Sequence, residues 1–320
     1  MRLLALLLAF AVAAPSQAQR PSPHAIDIPR WFSETFLDLR EDVREAATQG
    51  KRVMLYFGQD GCPYCTALMQ TNFSQRAIAD KTRRHFVAIA LNLWGDREVA
   101  WLDGRRMSEK ALGHELRVQF TPTLFFLDQT GAVTLRLNGY LPPHRFDAAL
   151  DFAAGLAGKG MRYDEYIQTA IKEAASATLH DEAFFATPPV ALAGAKPVAL
   201  LFETPYCAGC DELHREGLRR PEVRRLLERF SVYRLTLEDR HTPTTTWARE
   251  LRVAYTPTIV FFHRGKEVFR IDAYLRPFHL ASALDYVASG AYRKEPSFQR
   301  YLQARAERLR GRGEKVDLWN

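Results

Sequence analysis

The four cysteines of this 320-residue chain form two pairs of identical spacing, Cys62-Pro63-Tyr64-Cys65 and Cys207-Ala208-Gly209-Cys210. The two pairs have the same surroundings. Lys51 to Phe57 and Lys196 to Phe202 are short, largely apolar runs of the kind that form buried strands. A polar or glycine-bearing turn follows each, then the cysteines, then apolar residues at helical spacing. These are Leu68, Met69 and Phe73 after the first pair, and Leu213 and Leu218, then Val223, Leu226, Leu227 and Phe230, after the second. Strand, turn, dithiol and helix therefore occur twice. A length of 320 residues with 47% hydrophobic content supplies two cores. A charged fraction of 25% and mean hydropathy of -0.25 exclude a disordered chain and a polytopic membrane protein. The net charge of +7 is spread along the chain with one concentration near the C-terminus, which is weak evidence for a polyanionic partner.

Cysteine pairs of this kind have three readings: structural staples, one four-thiolate zinc site, or redox-active dithiols. A bridge over two residues closes a very small loop and stabilises little of the chain. A zinc site draws its halves from neighbouring turns, whereas 141 residues separate Cys65 from Cys207 and only His214 lies close to either pair. Both count against those readings, which stay as alternatives. Position favours the third. A first cysteine at a helix start faces unpaired backbone N–H groups and the positive end of the macrodipole, which favour thiolate. Cys62 and Cys207 would then attack a disulfide, and Cys65 and Cys210, one turn further in, would resolve the mixed disulfide. No metal or other cofactor is expected.

A second repeated motif lies downstream: Phe120-Thr121-Pro122-Thr123 and Tyr255-Thr256-Pro257-Thr258, each opening an apolar strand. Proline is tolerated there because a strand start need not donate an N–H. Together with a later hairpin and final helix, the pattern resembles the thioredoxin fold, present here twice. The resemblance implies an α/β architecture of two tandem thioredoxin folds, each a central mixed β-sheet flanked by helices and extended by a C-terminal helix. It implies that Pro122 and Pro257 are cis and that Thr121 and Thr256 bind substrate through their backbone.

The offset between repeats is 145 at Cys62 and Cys207, 135 at Pro122 and Pro257, and 134 at Tyr140 and Tyr274. The first repeat thus holds about ten extra residues around Leu93 to Lys110, read as a surface elaboration or a lid. The expected organisation is a signal peptide at 1–18, a first domain at 30–175, a linker at 176–195 and a second domain at 196–312. The terminal stripes, Tyr163, Ile167 and Ile171, then Phe298, Tyr301, Leu302 and Leu309, are expected to dock on their own domains. The arginines at 300, 305, 308, 310 and 312 are expected to form a solvated face. At the start, Arg2, the apolar run Leu3 to Ala14 and the small residues before Gln19 read as a cleavable export signal. That run falls short of the ~20 residues a membrane helix needs.

Within the superfamily the chain resembles exported bacterial SoxW-type thioredoxins, near the DsbC and DsbG branch. The Thr-Pro-Thr strands, Gly139-Tyr140-Leu141 and the tail Phe298-Gln299-Arg300-Tyr301-Leu302 carry this resemblance. It implies a periplasmic thiol-disulfide oxidoreductase acting on client protein disulfides, mainly as a reductase, with a membrane thiol reductase of DsbD or CcdA type as electron donor and no nucleic-acid partner. Oxidase or isomerase action, and a non-enzymatic thiol chaperone or metal carrier, are the alternatives. The chain departs from cytosolic thioredoxins in placing Tyr56 and Leu201 where those bury an aspartate. Asp60 and Glu203, the nearest carboxylates, are expected to be exposed turn residues. Gly209 in a helical first turn predicts a less stabilised thiolate, and a different potential, at the second site.

Overall fold

In a computed structural model the described residues are 26–158, 160–187, 190–236 and 243–319. The segment expected to be a signal peptide lies outside them. The first half runs α1 (Leu39–Thr48), β1 (Arg52–Gly58), α2 (Pro63–Ala67) continuing as one π turn, α3 (Arg76–His85), β2 (Phe86–Asn92), β3 (Glu98–Ala100), β4 (Arg106–Ser108), α4 (Glu109–Glu115), β5 (Thr123–Leu127), β6 (Val133–Asn138), α5 (Pro143–Ala153) and α6 (Tyr163–Ala170). The second half runs β7 (Val198–Glu203), α7 (Ala208–Glu212) with its own π turn, α8 (Pro221–Leu227), β8 (Ser231–Thr236), α9 (Pro243–Glu250), β9 (Thr258–His263), β10 (Lys266–Asp272), α10 (Pro277–Ala288) and α11 (Phe298–Gly311).

The two main sheets have the same topology, β2-β1-β5-β6 and β8-β7-β9-β10. In each, the first pair in that order is parallel (β1 with β2, β7 with β8) and the remaining pairs antiparallel. The apolar runs of β1 and β7 follow from this central position, because helices cover both faces. In β1, Met54 and Tyr56 face the layer that carries the cysteine helix, while Val53, Leu55 and Phe57 face the opposite layer. In β7, Ala199 and Leu201 do the first, and Val198, Leu200 and Phe202 the second. Both sheets are mixed and flanked by helices, and the additional helices α6 and α11 are present.

The extra residues of the first repeat fold as the hairpin β3–β4, anchored beside α1 by the hydrogen bond from Ala100 N to Leu37 O. The stretch 176–195, read as a linker, is built into the second unit. Phe185 bridges to Val232, Phe184 and Phe185 join its core, and Val190 and Leu192 pack against its other face. Ala186, Val190 and Leu192 occupy the layer that α1 fills in the first unit. The segment's apolar residues, spaced too irregularly for a helix, gain cover only by lying along the sheet.

Candidate redox site

Each cysteine pair is disulfide-bonded at the start of a helix. Cys62 caps α2, its Sγ accepting the Cys65 N–H at 3.1 Å, and Cys207 caps α7, accepting from the Cys210 N–H at 3.1 Å. The residue before each leading cysteine's dyad turn, Gly61 (φ 71) or Tyr206 (φ 55), is left-handed, which turns the chain from strand into helix. The Thr121–Pro122 and Thr256–Pro257 bonds are both cis. Thr121 and Thr256 come to the sulfurs: Thr121 O lies 3.3 Å from Cys62 Sγ, and Thr256 Oγ1 donates to Cys207 Sγ at 3.5 Å. The structure thus brings together, in each unit, the cysteine pair and the Thr-Pro dipeptide. Gly209 has a local reason as well, since a Cβ there would come within 3.1 Å of Pro257 Cδ.

The sequence did not reveal that the two sites face each other. Cys62 and Cys207 line one cleft of about 290 Å³ between the units. The contacts across it exchange equivalent positions. Tyr64, second of the dipeptide in the first site, packs edge-on against His279 with its hydroxyl 3.3 Å from Nδ1. Gly209, its counterpart, would place a Cβ 3.9 Å from Arg145, which is the counterpart of His279. Burial holds the His279 imidazole down at about 4, so the ring is neutral where it meets the Tyr64 hydroxyl. Phe120 leaves its own unit to join the core around Phe269 and Phe298, while Tyr255 reaches into the first unit and meets Tyr163. At the centre, Asn138 donates to Asp272 at 3.1 Å, again equivalent residues. The units are therefore related by an approximate two-fold axis.

The two sites differ in exposure. Cys62 is 4% exposed and Thr121 5%, whereas Cys207 and Thr256 are only half-buried and Tyr206 is 67% exposed. The C-terminal segment adds cover over the first site, with Trp319 against Tyr64, Tyr140 and Arg276.

The carboxylates also diverge. Asp60 is exposed, but Glu203 is not the exposed turn residue expected: it is 1% exposed and pairs with the fully buried His214 at 2.8 Å. His214 also contacts Glu182, itself paired with Arg224. Burial pushes the His214 pKa down, and the two glutamates outweigh it to leave the value raised. The first unit has Gly58 and Met69 at the equivalent positions. A sequence signal existed, because His214 stands on the apolar helical stripe beside Leu213 and Leu218, where only a paired histidine is tolerated. Where thioredoxin buries an aspartate, Tyr56 is fully enclosed here and Leu201 is apolar.

Two regions of the chain, residues 39–154 and 186–288, match the thioredoxin-like domain family. Among solved structures, a thioredoxin-fold protein from Helicobacter pylori is 26% identical over 42% of this chain and 91% of its own, with a TM-score of 0.31. A thioredoxin from Thermus thermophilus is 26% identical over 38% and 91%, TM-score 0.30. The C-terminal domain of Neisseria meningitidis DsbD, oxidised form, is 18% identical over 36% and 92%, TM-score 0.28. No curated protein matches the chain. The family match and the two Cys-x-x-Cys disulfides support thiol-disulfide oxidoreductase chemistry in general. The family matches cover more than half of the sequence, and the chain belongs to the thioredoxin-like domain family, with that fold present twice.

Proposed function

We propose that the protein is an exported reductase of client protein disulfides, with Cys62 and Cys207 as nucleophiles and Cys65 and Cys210 as resolving thiols. One observation carries this reading: each leading sulfur accepts a backbone N–H at a helix start beside a cis-proline loop. An N–H aimed at sulfur favours the thiolate, the form that attacks a disulfide. Thr121 and Thr256, next to those sulfurs, would align the segment that carries the partner disulfide through their backbone. A membrane thiol reductase of DsbD or CcdA type would return the electrons, in an oxidising compartment such as the periplasm. No helix among the described residues is long and apolar enough to cross a membrane.

Turbidity in an insulin-reduction assay tests the reading. The full chain, recycled by dithiothreitol, is expected to accelerate insulin B-chain precipitation, and a variant with all four cysteines changed to serine is expected to match the uncatalysed rate. Equal rates for the two proteins would refute it. Redox titration against glutathione is expected to give different equilibrium constants for the two sites, because one dipeptide is Pro-Tyr and the other Ala-Gly.

A further inference from the structure

Two independent features separate the sites by access. At the first, both the attacking sulfur and the backbone beside it are enclosed: Cys62 is 4% and Thr121 5% exposed. Cys62 sits in the core of its own unit, and the residues flanking it are held by the other half of the chain, His279 and Trp319 against Tyr64 and Gln299 on Gln59. At the second, Cys207 and Thr256 both retain solvent exposure, and Tyr206 stands outside them. A macromolecular disulfide must present its sulfur in line with the attacking one, so an enclosed cysteine cannot serve it directly. The cleft that Cys62 lines is also lined by Cys207.

We propose that Cys207–Cys210 is the molecule's outward port and that Cys62–Cys65 is an internal dithiol that exchanges electrons with Cys207 across the shared cleft. This rests on the thiol-disulfide reading above and specifies the partner of the first site: the second site of the same chain. Starting from a reduced second site and an oxidised first, the Cys207 thiolate attacks Cys62 Sγ. The Cys62–Cys65 bond breaks, a Cys62–Cys207 bond forms, and Cys65 leaves as thiolate. The Cys210 thiolate then attacks Cys207 Sγ, forming Cys207–Cys210 and releasing Cys62 as thiolate. Two electrons have moved from the second dithiol to the first disulfide, and the protons of Cys207 and Cys210 balance those taken up by Cys62 and Cys65. The reverse sequence discharges the first site through the second. An external protein dithiol or disulfide enters only at Cys207.

Reduced thioredoxin serves as the protein dithiol, and alkylation followed by mass spectrometry reports each pair. In the full chain both disulfides are expected to be reduced. In Cys207→Ser/Cys210→Ser, reduction of Cys62–Cys65 is expected to slow by at least about tenfold, since exchange depends on access. In Cys62→Ser/Cys65→Ser, Cys207–Cys210 is expected to react at the full-chain rate. Tris(2-carboxyethyl)phosphine, small enough for the cleft, should reduce Cys62–Cys65 in the first variant, showing that its fold is intact. A further variant, Cys65→Ser/Cys210→Ser, oxidised with glutathione disulfide, is expected to accumulate an intramolecular Cys62–Cys207 disulfide in dilute monomer, with two glutathione thiols released. Undiminished reduction of Cys62–Cys65 by thioredoxin without the second site would overturn the proposal while leaving the oxidoreductase reading standing. So would absence of the 62–207 crosslink. Failure of both sites to exchange with any protein thiol would refute the oxidoreductase reading, and this proposal with it.

Discussion

Glu203 and His214 show how much one buried pair can distinguish two copies of a fold. A carboxylate that is 1% exposed persists only with a partner, and His214, wedged between Glu203 and Glu182, supplies it. Replacing His214 by Met, the residue of the first unit, removes the cation but leaves two carboxylates behind. The expected loss is about 3–5 kcal/mol in urea unfolding, the usual cost of breaking a buried pair from one side. Glu203→Gln/His214→Met should recover part of it, and a double variant less stable than His214→Met would contradict the pairing. The pH dependence has a definite sign. His214 has a raised pKa in the folded protein, so it binds its proton more tightly folded than unfolded. Its contribution is full below about 6.5 and declines as pH rises through the raised value. Stability measured upward from neutrality should therefore fall more in the parent than in His214→Met.

At the level of elements, the repeated strand–turn–helix units and both cis-proline loops were legible because each is written in local chemistry: apolar runs, paired cysteines, a Thr-Pro before a strand. Residues 176–195 were not, since their order comes from a sheet edge and not from their own pattern; Phe185 finds Val232 only in the folded unit. The terminal helix was half legible. Phe298, Tyr301 and Leu302 join the core of the second unit, as their spacing suggested. The arginine face is exposed as expected at 300, 308, 310 and 312, and only Arg305 is half-buried. Arg305 pairs with Glu222 and Asp285, Arg300 lies over Trp94 and Arg308 over Tyr301. Its pattern did not reveal that α11 is also a bridge. Gln299 donates to Gln119 O at 2.9 Å and accepts from Gln59 at 2.7 Å, and Gln59 in turn accepts from Trp94 at 2.7 Å. Gln299→Ala leaves buried polar groups of the first unit unpaired, each costing about 1–3 kcal/mol, whereas exposed Gln303→Ala should stay within about 0.5 kcal/mol. Urea midpoints of the two variants decide this. Equal midpoints would mean that α11 only decorates its own unit.

For the whole molecule, reciprocal insertion makes each unit part of the other's core. Phe120, 5% exposed, belongs by sequence to the first unit and by packing to the second, against Phe269 at 5.8 Å and Phe298 at 5.4 Å. Tyr255 returns the contact at Tyr163, 5.8 Å between ring centroids. Units joined only by a tether would melt separately; units that complete each other's cores should melt together. One calorimetric transition is therefore expected for the intact chain. Phe120→Ala opens a cavity in the second unit from a residue of the first, at a cost of about 3–5 kcal/mol. It also removes a contact on which the common transition depends, so the single endotherm is expected to broaden or split. The same variant should expose Cys62 to alkylation in the reduced protein, because the residues flanking that sulfur, Gln59 and Tyr64, are held by Gln299 and His279 of the other unit. A variant that melts in one sharp transition with Cys62 still protected would show that the facing of the two sites is held by contacts other than the exchanged aromatic rings.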